Sequence, residues 1–115
     1  MKPSGIGVEL CIHLWGAFCV RTADGRDVTP KLAKSKAVLA LLACSRTGRQ
    51  TRESLKSRLW SDRGREQAND SLRSALTDIR SSLGPLAKTV LDSSRSDVTL
   101  RMERVALSEP EPGDV

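Results

Sequence analysis

The sequence contains no tyrosine, one phenylalanine and two tryptophans among its 115 residues. Trp15, Phe18 and Trp60 are too few to build the stacking platforms that hold single-stranded nucleic acid. Histidine occurs once, at His13, and the residues near it in sequence do not suggest a nucleophilic triad. The cysteines number three, Cys11, Cys19 and Cys44. An odd count without metal-ligand spacing argues against a disulfide framework and against zinc, which normally takes four ligands, and fits a reducing cytoplasm. No run approaches the ~20 apolar residues of a spanning helix, so no membrane association is expected. Met1 to Gly5 leads into alternating residues, not into the apolar run of a secretory signal. A phosphate loop and a Gly-x-Gly-x-x-Gly pattern are also missing. These absences set the expectation of a cytoplasmic, non-enzymatic chain with no cofactor, no metal and no evident small-molecule substrate.

What the chain does have is charge, unevenly spread. Its formal net charge is +5. Residues 1–30 are balanced, residues 31–101 carry a net +8, and residues 102–115 a net −3. A concentrated positive body suits a polyanion, most often nucleic acid; a merely solvated basic surface is the plain alternative.

Hydrophobic periodicity changes along the chain. Val8, Leu10, Ile12 and Leu14 alternate with Glu9, Cys11 and His13, and Phe18, Val20 and Thr22 resume the pattern after Gly16. Two strands follow from this, joined through Asp24-Gly25 turn chemistry to a third short one near Val28, as a small antiparallel meander over 8–29. Ala33 to Arg46 is a helix, with Val38, Leu41 and Leu42 at helical spacing and Gly48 as its stop. Lys31, Lys34 and Lys36 cluster at its start, where positive charge opposes the helix dipole. Thr51 can cap a short second helix over Arg52 to Trp60. A third helix runs from Arg65 to Leu83, with Ala68, Leu72, Ala75, Leu76, Ile79 and Leu83 on one stripe and Gly84-Pro85 as its end. Val90-Leu91 and Val98 to Leu100 make a hairpin around a polar tip. The expected core is Ile12, Leu14, Phe18, Val38, Leu42, Leu55, Leu59, Trp60, Leu72, Leu76, Ile79 and Leu83. The domain is placed at 8–105, after an extension over 1–7 and before an acidic, Pro-containing linker over 106–115 that suggests a longer protein. The fold class is α+β. A short helix, a turn, a longer amphipathic helix and a hairpin read as a winged helix-turn-helix, here with an antiparallel sheet in front.

With its apolar stripe inward, the third helix presents Glu66, Asp70, Arg73, Ser74, Thr77 and Ser81 outward, flanked by Asn69 and Arg80. Such a face suits a major groove. Arg73 can donate two bonds to a guanine, Ser74 and Thr77 can reach base edges or thymine methyls, and Arg80 and Ser81 can meet phosphates. An ordinary solvent face, with Asp70 and Arg73 paired at i, i+3, is the plainer reading of the same pattern.

Four segments carry a family resemblance. "LWGAFCVRTADGRDV" (14–28), "KAVLALLA" (36–43), "TRESLKSRLWSD" (51–62) and "NDSLRSALTDIRSSLG" (69–84) resemble, in order and spacing, the DNA-binding domain of bacterial transcriptional regulators of the OmpR/PhoB winged-helix class, and within it the SARP-type branch. The resemblance covers about residues 8–101. It implies a third helix in the major groove and a hairpin wing on the neighbouring minor groove or backbone. It places Ser71, Arg73, Ser74, Thr77 and Asp78 at the bases, and Arg80 at a phosphate. Further backbone contacts are expected from Lys34, Lys36, Arg52, Ser81 and Arg95. Ser61, Asp62, Arg63 and Gly64 match the loop that can touch RNA polymerase, while Trp60 matches a core position. The chain departs from the family where Asp78, Ser81 and Ser82 replace more basic residues, and where the wing's one cation, Arg95, lies between Asp92 and Asp97. Weak binding by an isolated copy is then expected, with a homodimer or tandem arrangement to raise it. The expected function is sequence-specific binding of double-stranded DNA; the alternative is a winged-helix module for protein interaction or dimerisation.

Overall fold

The computed structural model describes residues 8–14 and 17–108. The extension over 1–7, the interruption at Gly16 and residues 109–115 of the acidic tail lie outside the described residues.

Alternation produces the first sheet. Strands β1 (Leu10–His13) and β2 (Cys19–Thr22) pair antiparallel, with Leu10 opposite Thr22 and Ile12 opposite Val20. Leu10, Ile12, Val20 and Thr22 are buried, so one face of the ladder turns inward. After β2 the chain reverses at Gly25, whose φ of 92° belongs to the left-handed region that glycine enters without strain. The third strand expected near Val28 is reduced to one bridge between Arg21 and Asp27, with the Val28 N–H donating to the Val20 carbonyl at 2.8 Å.

The helices follow the apolar stripes. α1 (Ala33–Cys44) ends two residues before its expected limit. α2 (Arg52–Leu59) is capped by Thr51, whose Oγ1 accepts from the Ser54 N–H at 3.0 Å. α3 (Arg65–Leu83) has the expected limits, and all six residues of its stripe are buried. Leu55 and Trp60 join this core; Leu14, Phe18 and Leu59, expected inside, are only partly buried against it.

Three further elements differ from the sequence reading. Gly48 does not stop α1. It turns the chain, at φ 74°, into β3 (Arg49–Thr51). Its backbone lies so close to the Leu100 carbonyl that a Cβ would collide with it and come within 2.7 Å of Met102 Cγ. Val90 does not begin a strand; it closes a single-turn helix α4 (Ala87–Val90), reached from α3 through a 3-10 turn over Gly84–Leu86. The hairpin itself is β4 (Leu91–Ser93) and β5 (Asp97–Leu100), and β3 pairs on the other side of β5. The second sheet thus has the order β3-β5-β4.

The third difference lies in the segment read as linker. Val105–Ser108 forms β6, parallel to β1 with Leu10 opposite Val105. The first sheet has the order β2-β1-β6 and is mixed, not purely antiparallel. The Glu9 N–H donates to the Arg104 carbonyl at 2.8 Å, and Arg104 and Glu9 form an ion pair at 2.8 Å beside it. The result is an α+β fold of three main helices and two small three-stranded sheets.

Candidate nucleic-acid interface

Three elements meet around one open groove. α2 contributes Arg52, Glu53 and Lys56 behind their cap Thr51; α3 contributes Asn69, Leu72 and Arg73; the β4–β5 turn contributes Arg95 and Ser96. Four cations therefore surround the groove against one carboxylate. They are not equivalent. The Arg52 N–H donates to the Ser96 carbonyl at 2.8 Å and its Nε to the Ser94 carbonyl at 2.7 Å, so Arg52 fastens the hairpin tip to the start of α2. Lys56 Nζ donates to Glu53 Oε2 at 2.9 Å and to Asn69 Oδ1 at 2.6 Å, tying α2 to α3 with a side chain only 14% exposed. That hydrogen bond, helped by the charge of Lys56, holds the Glu53 carboxyl below the usual carboxylate range. Arg73 is free to move: its one ion pair, to Asp70 at 3.7 Å, is long, and both side chains are 76% exposed. Arg95, at the exposed tip, makes no side-chain hydrogen bond or ion pair among the described residues.

The outer face of α3 is divided by its neighbours. Thr77 and Ser81 are exposed between the two flanks. Ser71 is half-buried and lines, with Ser74 and Asp70, a second shallow groove against Leu32, Lys34 and Trp60. Arg80 lies towards the hairpin and donates through Nη2 to Ser93 Oγ.

Asp78 is turned away from the outer face. Its carboxylate accepts from the Leu32 N–H at 2.9 Å and, more weakly, from the Lys31 N–H at 3.4 Å. Burial acts to raise its pKa, but the Leu32 amide, the Ser35 hydroxyl, and the amide and charge of Lys31 outweigh it, and the group titrates below its ordinary value. α1 has no side-chain cap and no acid in its first turn. Asp78 supplies from another helix the negative charge that the dipole favours there.

The lysines at the start of α1 acquire a similar explanation. Lys34 Nζ donates to the Leu59 carbonyl at 2.5 Å, the last residue of α2, and lies 5.8 Å from the centre of the Trp60 ring. A cation at a helix C-terminus and over an aromatic face is doubly favoured. Lys36 is half-buried on α1. Of the expected phosphate contacts, Lys34, Arg52 and Arg80 thus hold elements together, whereas Ser81 and Arg95 stand exposed.

The acids beside the wing cation are also occupied. Asp97 pairs with Arg49 on β3 at 2.6 Å, and Asp92 with Arg101 at 3.3 Å. Their charges are largely offset by these partners, which leaves Arg95 the dominant charge at the tip. Ser61 to Gly64 is an exposed turn between α2 and α3, closed by the Arg63 N–H on the Trp60 carbonyl at 3.0 Å.

Lys56, Asn69 and Ser96 belong to the groove although sequence reasoning gave none of them a contact role. One signal was present for Lys56: it follows Arg52 at i+4, which places both cations on one side of α2. Ser96 was placed in the polar hairpin tip without a contact of its own; the long-range pairing of β3 with β5 brings it to α2.

Among the described residues, no group of three or more His, Cys, Asp or Glu side chains is placed to hold a metal ion. Cys11, Cys19 and Cys44 are free thiols. No described helix is long and apolar enough to cross a membrane. Comparison with protein-family models, with curated proteins and with solved structures gave no significant match to this chain.

Proposed function

We propose that this chain is a winged-helix module that binds double-stranded DNA with sequence preference, as part of a bacterial transcriptional regulator. The observation that carries the reading is the convergence of Arg52, Lys56, Arg73 and Arg95 from three elements on one groove. The order α1-β3-α2-α3-α4-β4-β5, with β3 paired to the hairpin, supports this reading: a short helix, a turn, a longer amphipathic helix and then a hairpin. α3 is the helix for the major groove, with Arg73, Ser74 and Thr77 towards the bases. The hairpin tip carries Arg95 to the backbone or minor groove. Arg52 and Arg80 brace the wing at their present partners and present their remaining N–H groups to phosphates. Asp78 has a bracing role in place of base contact. The exposed turn from Ser61 to Gly64 remains accessible to RNA polymerase, and a homodimer or tandem pair would raise the affinity of a small footprint.

Titrating the purified chain with random and enriched duplexes at several salt concentrations tests this. Binding should weaken steeply as salt rises. Arg95→Ala should weaken all sequences alike and lower the salt slope by about 0.9, the loss of one phosphate contact. No binding to any duplex at low salt would end the proposal. It would leave a protein-interaction module, a reading favoured by Leu32, a large apolar side chain that stands 47% exposed beside the α1–α3 groove.

A further inference from the structure

We infer that Asp70 determines specificity at the base pair next to the one read by Arg73, accepting a hydrogen bond from the N4 amino group of a cytosine. This rests on the DNA-binding reading above.

The argument begins from position. Core residues Leu72, Ala75, Leu76 and Ile79 fix the inward side of α3. At ~100° per residue, Asp70 then lies near the middle of the opposite side, more centrally than Arg73. It is also at the ridge between the two grooves, facing Lys34, Ser71 and Ser74 on one side and Arg73 on the other. A carboxylate in that place is costly for a helix that approaches phosphates, unless it meets a donor. Among base edges in the major groove, amino groups are the donors, and cytosine N4 pairs with an acidic side chain.

The second part of the argument is the geometry of the pair. Asp70 and Arg73 are three residues apart, a rise of about 4.5 Å along the helix, longer than the roughly 3.4 Å step between base pairs by an amount two exposed side chains can span. At 3.7 Å their ion pair is too long to be a tight fork, and with both side chains 76% exposed little holds it closed. The two groups can therefore separate without loss of packing. The Arg73 fork takes guanine O6 and N7, and the Asp70 carboxylate takes the neighbouring cytosine amino group while its charge keeps the guanidinium aligned. The other acids of α3 are placed differently: Glu66 is exposed in the first turn, about one turn before Asp70, and Asp78 is held by the amides of Lys31 and Leu32.

Enrichment from random duplexes, run on the purified full chain as wild type, Asp70→Ala, Asp70→Asn and Arg73→Ala, tests the inference. Wild type should enrich adjacent guanine and cytosine. Asp70→Ala should keep the guanine and lose roughly 5- to 100-fold of the discrimination at the cytosine, while affinity for unrelated duplexes rises. Asp70→Asn should move the preference at that position towards adenine, whose N6 and N7 match an amide. Arg73→Ala should lose the guanine. Identical preferences at every position in wild type, Asp70→Ala and Asp70→Asn would overturn the inference while leaving DNA binding intact. Failure of the wild type to bind any duplex would instead overturn the reading on which it rests, and this inference with it.

Discussion

Asp78 shows how one residue can look like a departure from a function and have a structural role. The family resemblance puts Asp78 among the base-facing residues, where an acid would repel phosphates. Its carboxylate instead serves the backbone amides before α1, where three lysines make the local charge adverse. The consequence is a pH dependence with a definite sign. Because its folded-state pKa is depressed, its stabilising contribution is fully present above the ordinary carboxylate value near 4 and disappears as pH falls through the lower, folded-state value. Asp78→Asn keeps one acceptor but loses the charge, and should cost about 1 kcal/mol at neutral pH. Urea denaturation of both proteins should show that gap narrowing below about pH 4; a gap that stays constant down to pH 3 would remove the capping role. The same logic applies to Lys34, whose charge seemed available for phosphate and is used at the C-terminal end of α2.

At the scale of elements, α3 organises the other helices. Its six buried residues belong to the core it shares with α1, α2 and α4, Arg80 reaches β4, and Asn69 receives Lys56 from α2. The helix has a continuous apolar stripe and a wholly different outer face, so packing and surface chemistry can be altered separately. Leu76→Ala should therefore destabilise the protein by about 2–5 kcal/mol, the usual result of truncating a fully buried leucine. Thermal or denaturant unfolding measures this directly, and an unchanged midpoint would contradict the placement of Leu76 at 1% exposure. The exposed residues Asp70, Arg73 and Thr77 should tolerate substitution with little change in stability.

At the scale of the whole molecule, the important contact joins residues nearly a hundred positions apart. β6 lies parallel to β1, and Val105 enters the core beside Leu10. A chain ending at Arg104 would leave β1 without one of its two neighbours and would lose Val105 and Leu107 from the apolar cluster. Burial of one valine contributes about 1.5–3 kcal/mol, so the shortened chain should lose at least about 2 kcal/mol, read as a lower midpoint in urea. A linker without structure over this segment would leave the midpoint unchanged.

Local pattern determined the elements whose signal is repeated many times within a short stretch. α3 was legible to the residue because six apolar side chains recur at helical spacing between a plain start and Gly84-Pro85. β1 and β2 were legible from alternation, and α2 from Thr51 and the Leu55–Leu59 pair. The α+β class followed from that succession, as did the outward placement of Arg73, Ser74, Thr77 and Ser81. Short elements had no such redundancy. β3 has three residues, Arg49, Gln50 and Thr51, none of them apolar, and exists because β5 supplies hydrogen bonds to it. β6 was hidden by the acidic composition that follows it, and is held by β1. The same distinction runs through the groove. The sequence by itself determined which side of α3 is outward and that the middle of the chain is basic, because periodicity and charge are local properties. Only the tertiary structure decided which cations are free: Lys34, Arg52 and Arg80 have partners 25, 42 and 13 residues away, whereas Arg73 retains only a loose neighbour in its own helix. A charge is visible in a sequence, but the atom that occupies it is chosen by folding.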